Sequence, residues 1–312
     1  TAVGFEAGHD ISTGRYNTIV GALTGDKITT GGNNVLFGYG AGGAVTEGTR
    51  NVAIGSDSLS TATTQNNNVA IGHNALLSAE SSENVAVGFG AGAATSSSGA
   101  NTYVGYQAGT ANTTGQNTAV GQNALVSNTT GTSNVAVGIK AMDANVAGDN
   151  NVAIGESALS SMNPSGNVDM YNVAVGYQAS ALCTVGIKNV SIGGDALYTD
   201  DTGSGSVAVG YKSLYAQNPS SSTDMHNVAV GEESAVALTT GNRNTIIGQG
   251  TAGTLTTGDS NVVIGRSADV GGVDNDFSIV IGSGAQGLGP NTTVIGTNST
   301  VRAEIKGLRT KV

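Results

Sequence analysis

Five residues recur along this chain at an almost fixed spacing: Asn51-Val52-Ala53-Ile54-Gly55. The pentapeptide returns at Asn68–Gly72, Asn84–Gly88, Asn117–Gly121, Asn134–Gly138, Asn151–Gly155, Asn172–Gly176 and Asn227–Gly231, with Val for Ile or Thr for the first Val. Looser copies read polar, β-branched, mostly apolar, apolar, Gly. Together they close on Gly4, Gly21, Gly38, Gly55, Gly72, Gly88, Gly105, Gly121, Gly138, Gly155, Gly176, Gly193, Gly210, Gly231, Gly248, Gly265, Gly282 and Gly296. Most steps are 17 residues; two are 16, two are 21 and the last is 14. A period this short and this regular requires one supersecondary unit stacked many times.

With the glycine as position 0, position −3 is always β-branched and position −1 is Val, Ile or Phe37. Alternation places −3 and −1 on one face of a strand and −4 and −2 on the other. Position −2 is usually Ala, as in Ala53, Ala70 and Ala136, so the strand is apolar on both faces and must be covered on both. The β-branched face is expected to line the coil interior, and the alanine face to meet a partner chain. Position −4 is Asn in 14 of the 17 copies that have one, with Ser206, Ser278 and Thr292 the exceptions. Stacked asparagines suit a hydrogen-bonded ladder, and Asn equally suits a turn with positive φ. Ala or Ser at +3 and Leu or Gly at +4 predict a second short strand. A polar loop such as Asn128-Thr129-Thr130-Gly131 then returns the chain to the next coil.

The expected fold is therefore all-β: a parallel β-roll or β-solenoid of about 18 coils over residues 1–300. Gly is 49 of 312 residues and Pro only 3, which argues against collagen and against a Pro-rich disordered linker. Aromatics are 4% and Trp is absent, so a conventional core is out of reach, while a solenoid shares a thin core between neighbours. So little apolar burial offsets backbone entropy of about 1–2 kcal/mol per residue poorly in a lone chain. Three copies around an axis close the second face, which predicts a homotrimer.

The net charge of −10 disfavours nucleic acid or an anionic membrane as partner. No run of 18 apolar residues is present to insert into a bilayer as a helix. A single cysteine, Cys183, excludes an internal disulfide and reads as a small buried residue. Residue 1 already lies inside a repeat, so the chain is expected to be the ordered or processed part of something longer.

These repeats resemble the head domain of trimeric autotransporter adhesins. The form Asn-Thr-Ala-Val-Gly-x-x-Ala-Leu-x-x-Asn-Thr-Thr-Gly, closest at residues 117–131, resembles fibre proteins of tailed bacteriophages still more. The resemblance covers nearly the whole chain. It implies a left-handed parallel β-roll that trimerises, located on a virion tail or a cell surface. Its implied partners are itself, other tail proteins and a host surface receptor such as a glycan. The 16–17-residue period fits the phage variant better than the adhesin heads, whose repeats run near 14. The resemblance also suggests a C-terminal chaperone that cuts itself off.

Both 21-residue steps carry matching insertions. One reads Asn163-Pro164-Ser165-Gly166-Asn167-Val168-Asp169-Met170-Tyr171, the other Asn218-Pro219-Ser220-Ser221-Ser222-Thr223-Asp224-Met225-His226. Extra residues per coil project as a corner loop. This makes Asn163, Pro164, Asp169, Met170, Tyr171, Asn218, Pro219, Asp224, Met225 and His226 the candidate binding residues, with a duplicated structural insertion as the plain alternative. Aromatics recur just after the glycine, at Phe5, Tyr39, Phe89, Tyr106, Tyr177 and Tyr211, where they either stack on sugars or cover a seam between chains.

Residues 272–276 offer oxygen ligands but lack the EF-hand spacing, and a Gly/Asp-rich turn is the default. Gly38-Tyr39-Gly40-Ala41-Gly42-Gly43 imitates a dinucleotide loop by letters only. His9, His73 and His226 share no pattern, and no nucleophile, base and orienter set or carboxylate pair emerges. No catalytic residue, metal or cofactor is expected. Residues 301–312 change character, with Arg302, Lys306, Arg309 and Lys311 close together, and read as a capping or exit segment. The sequence thus predicts a non-enzymatic trimeric fibre, the shaft or receptor-facing part of a phage tail fibre. A bacterial trimeric adhesin head is the alternative reading, a polysaccharide-cleaving tailspike a more remote one. An ice-binding solenoid would need Thr ladders in one flat array, and the Thr-rich positions fall in the loops.

Overall fold

The computed structural model describes residues 1–97 and 99–297. The chain divides into two compact units, Thr1–Val185 and Gly186–Val312. Each is a parallel β-solenoid, with no helix among the described residues. The exit segment at 301–312 lies outside the described residues.

Each repeat forms one three-residue strand just before its glycine, such as Val52–Ile54 and Val135–Val137 in the first unit or Val207–Val209 and Val262–Ile264 in the second. Neighbouring strands are parallel and shifted by one repeat, so Val52, Ala53 and Ile54 pair with Val69, Ala70 and Ile71. A 16-residue step leaves this register intact, since Val69 pairs with Val85. So does a 21-residue step, in which Val152 pairs with Val173. Length differences are absorbed entirely in the loops.

The two strand faces are assigned opposite to the sequence expectation. The alanines at −2 are the interior: Ala53, Ala70, Ala136 and Ala229 are fully buried within the single chain. The β-branched residues at −3 and −1 look outward and are half-buried or exposed, with Ile54, Ile154, Ile192 and Ile247 among the exposed apolar side chains. The reason is the width of the coil. Opposite each strand lie the side chains at +3, +4 and +7, and positions −2 and +4 of a layer share room for about one large side chain between them. Where +4 is large, −2 is small, as in Ala53 with Leu59, Ala119 with Leu125 and Ala136 with Met142. In the first unit, where −2 is large, +4 is glycine: Ile19 with Gly25, Leu36 with Gly42 and Tyr103 with Gly109. A Cβ on Gly109 would stand 2.4 Å from the Tyr103 ring and one on Gly92 2.5 Å.

Every asparagine at −4 is buried, and together they form the ladder the sequence suggested. Asn134 shows the pattern in full. Its N–H donates to Asn117 Oδ1 at 3.0 Å and its Nδ2 to Gly148 O at 2.8 Å, while its Oδ1 accepts the Asn151 N–H at 3.0 Å. The chain of such bonds runs from Asn17 to Asn172 in the first unit. In the second it links Asn189 to Ser206 and Asn227 through Asn244 and Asn261 to Ser278.

Positive φ belongs not to these asparagines but to the residue before them. Position −5 is left-handed in coil after coil, on residues as unlike as Tyr16, Arg50, Glu83, Ala100 and Phe277. No second strand follows the glycine. Positions 0, +2 and +4 also take positive φ, including Leu59 at 52° and Leu125 at 51°, and the segment turns where a strand was expected. Each non-glycine residue there carries steric strain of about 1–2 kcal/mol, held by hydrogen bonds to the coils on either side. The repeat glycine has a second reason besides φ: a Cβ on Gly138 would lie 2.4 Å from the Gly155 carbonyl oxygen. The Thr-rich loops are ordered corners. The N–H groups of Thr29, Thr30 and Gly31 all converge on the Thr46 carbonyl, which also accepts the Thr29 hydroxyl. Thr46 repeats the arrangement on Thr63, so a short Thr ladder does exist at this corner.

Reciprocal filling of the interior is testable at Tyr103. Tyr103→Ala is expected to cost about 3–5 kcal/mol, read from the urea midpoint. Adding Gly109→Leu should restore much of it by recreating the Ala119 and Leu125 pair. Additive losses in the double variant would refute the single-large-residue rule.

Candidate functional site

The two insertions are built alike. In each coil the extra residues leave the solenoid after a buried proline, Pro164 or Pro219, and return on a buried methionine, Met170 or Met225. Before that methionine a short strand pairs in parallel with the preceding coil: Val168–Asp169 with Gly148–Asp149, and Thr223–Asp224 with Gly203–Ser204. Proline and methionine are therefore anchors. The exposed members of the candidate set are Asn163, Asp169, Tyr171, Asn218, Asp224 and His226. Asp169 accepts a hydrogen bond from Asn150 Nδ2 at 2.5 Å and one from the Tyr171 hydroxyl at 3.2 Å. The matching pair in the second unit is looser, with His226 Nε2 3.9 Å from Asp224 Oδ2. Tyr171 and His226 occupy the left-handed −5 position of the ordinary repeat, so they belong to the frame as much as to the loop.

Two other surfaces stand out. The +1 aromatics are exposed, and three rings on successive coils stack: His73 with Phe89 at 5.2 Å and Phe89 with Tyr106 at 5.4 Å. They adjoin the outward −3 and −1 side chains and extend one apolar face. A groove of about 790 Å³ lies in the first unit beside the start of the insertion. It is lined by Val126, Ser127, Lys140, Asp143, Ala144, Ser157, Ser160, Ser161, Asn163 and Thr184. Partial burial pushes the Asp143 carboxyl upward, and the nearby Lys140 pulls it back. Asn163 alone of the sequence-chosen residues reaches this groove. Its other members are mostly polar residues spread over four repeats, and no shared residue type picks them out.

The remaining sequence motifs are occupied structurally. Asp276 Oδ1 accepts the Asp259 N–H at 2.7 Å and Asn275 Nδ2 donates to the Val270 carbonyl at 2.8 Å, so two side chains of the 272–276 turn are spent on backbone of the coil before it and of its own coil. Cys183 is buried. His9 bonds its neighbour Asp10 at 2.7 Å. Among the described residues no group of three or more His, Cys, Asp or Glu stands close enough to hold a metal ion, and no helix is long and apolar enough to cross a membrane.

Compared with known proteins, the chain matches no family model and no curated protein sequence.

At one interior position the two units differ by a carboxyl group. Position +7 lines an interior corner, where Asn145 accepts the Gly148 N–H at 2.9 Å and donates to the Gly148 carbonyl at 3.0 Å. Its counterpart in the second unit is Asp200, which accepts the Gly203 N–H at 2.7 Å and Gln217 Nε2 at 2.5 Å. Gln217 in turn accepts from Asn227 Nδ2 at 2.8 Å. Burial pushes the Asp200 carboxyl up to about 6, against the hydrogen bonds from Gln217 and the backbone. A carboxyl with a raised folded pKa stabilises most when protonated. The contribution is full below about pH 4, is lost as pH rises through about 6, and amounts to roughly 3 kcal/mol at about 1.4 kcal/mol per pH unit. Asp200→Asn, which copies Asn145, should remove that slope and raise the melting temperature at pH 7. A variant whose stability still falls between pH 4 and 6 would place the slope on another group.

Proposed function

We propose that this chain is a structural and adhesive fibre protein, the shaft or receptor-facing part of a phage tail fibre, working as a homotrimer. The observation that carries the reading is the outward face formed by −3, −1 and +1. In the first unit it is a ladder of Val, Ile and Thr, with Phe37 among them, edged by Tyr39, Phe89, Tyr106 and Tyr177, and in the second a like ladder edged by Tyr211, several of these rings about half exposed. Such an apolar face on a repeat protein marks an interface. A symmetric partner with the same repeat matches it coil for coil. The alanine face, which the sequence put in that role, is filled within the chain. The left-handed winding, the location on a virion and attachment to a host receptor follow from the family resemblance. Three copies of one weak receptor site gain by avidity, which suits an attachment fibre.

A bacterial adhesin head would use the same geometry, and the sequence beyond this segment decides between them: a chaperone domain for the fibre, a stalk with an anchor for the adhesin. A tailspike that cleaves polysaccharide would employ two carboxyl groups at the bond broken. The described groove presents one, Asp143.

In sedimentation equilibrium the chain should have three times its 30.6 kDa mass. Ile154→Lys buries three ammonium groups at such an interface and should shift the mass towards one chain at micromolar concentration. A wild-type chain that sediments as a compact monomer would end the trimer reading.

A further inference from the structure

The two insertions differ in what stands beside them. In the second unit, positions +2 and +5 hold Asp195, Tyr198, Lys212 and Tyr215. The Tyr198 and Tyr215 rings stack at 5.4 Å with planes 5° apart, and Lys212 Nζ lies 5.5 Å from the Tyr215 ring centre. In the first unit the equivalent positions, 55 residues earlier, are Lys140, Asp143, Ser157 and Ser160. Where one unit stacks two large rings, the other has an aspartate and a serine, and the groove of about 790 Å³ opens there.

We propose that this groove binds a segment of uncharged polysaccharide. The assignment rests on the fibre reading above and names the ligand class and the site for it. The lining offers hydroxyls, one amide, one ammonium group and one carboxylate, and only Val126 and Ala144 are apolar. Ser160 already donates to the Ala181 carbonyl at 3.3 Å. The hydroxyls of Ser127, Ser157 and Ser161 and the side-chain amide of Asn163 make no hydrogen bond to protein among the described residues. A ligand that satisfies them must present donors and acceptors at close intervals, as the hydroxyls of a sugar chain do. Asp143 adds a strong acceptor for paired hydroxyls and Lys140 a strong donor. The two charges balance, and the chain's net −10 repels a polyanion. The scarcity of apolar lining leaves an amphipathic peptide helix nothing to bury. The lining residues come from four successive coils, so the groove spans about 15 Å at about 4.8 Å per coil, which suits a linear ligand.

The second unit supplies the blocking substitution. Ser160→Tyr puts a ring where Tyr215 stands in the matching coil, so the solenoid should accept it with unchanged trimer mass and melting temperature. Binding is read with the fluorescently labelled full chain on a panel of bacterial cells and on neutral polysaccharides purified from them. The expected result is binding that periodate treatment of the cells removes and protease treatment does not, weakened at least about tenfold by Ser160→Tyr. Ser220→Tyr, in the other insertion, should bind as wild type. Lys140→Ala and Asp143→Ala, on the outer surface, should each weaken binding about threefold or more and guard against a fold defect in Ser160→Tyr. Wild-type binding by Ser160→Tyr and both alanine variants would overturn the groove and leave the fibre reading standing. A protease-sensitive, periodate-resistant signal would replace the glycan by a protein receptor. A chain that binds no cell and no polysaccharide would overturn the attachment reading together with the groove.

Discussion

A buried asparagine in most coils, bonded to the coil before it and the coil after it, is the interaction on which the solenoid depends. An amide hidden from water costs about 1–3 kcal/mol for every group left unpaired. Asn134 leaves none of its groups unpaired: its backbone N–H, Oδ1 and Nδ2 all have partners. The Nδ2 bond ties the strand to the loop 14 residues further on, so one side chain fixes both the stacking of strands and the path of the corner. Serine at 206 and 278 still gives its backbone N–H to the preceding asparagine, yet Ser206 must recruit Gln217 to complete its own bonds. Ser278 instead turns its hydroxyl onto the Gly289 carbonyl at 3.0 Å, so the two interruptions are completed in different ways.

Because the ladder sets the coil path, the backbone accepts conformations that the residues themselves do not favour. Tyr16, Arg50 and Phe277 are left-handed although nothing about them prefers it. Their strain is opposed by inter-coil hydrogen bonds, such as Arg50 N–H to the Gly32 carbonyl at 3.1 Å. The same tight path leaves positions −2 and +4 of a coil room for about one large side chain between them. Small residues are thus placed inside and β-branched ones outside, the reverse of the usual expectation for a half-buried strand.

The repeat length, the parallel register and the asparagine ladder were legible from the sequence, since each follows from a residue type recurring at one position. Which face is inside was not. Positions −2 and −1 are both apolar, and alternation separates two faces without saying which encloses the core. The signal that decides it was present in the reciprocal sizes of Tyr103 and Gly109 or Ala119 and Leu125. The left-handed positions were hidden for another reason: at −5 they fall on Tyr16, Arg50 and Phe277 as well as on Asn33, Asn67 and Gly205, so no one residue type marks the column. The insertions were visible as length changes, and their exposed carboxylates could be named. The groove beside Asn163 could not. It arises from side chains that are missing at Asp143 and Ser160, and an empty volume leaves no letter in a sequence.

The indifference of the strand register to steps of 16, 17 or 21 residues has a genetic corollary. A crossover between near-identical repeats deletes or duplicates one whole rung, and every bond above and below it re-forms with the next rung's equivalent atoms. Within a unit the number of rungs can therefore change without breaking the sheet, while a point change at a glycine or asparagine column disturbs the rungs on both sides. Added length is taken up at the corners, the one part of a rung whose length the sheet does not measure.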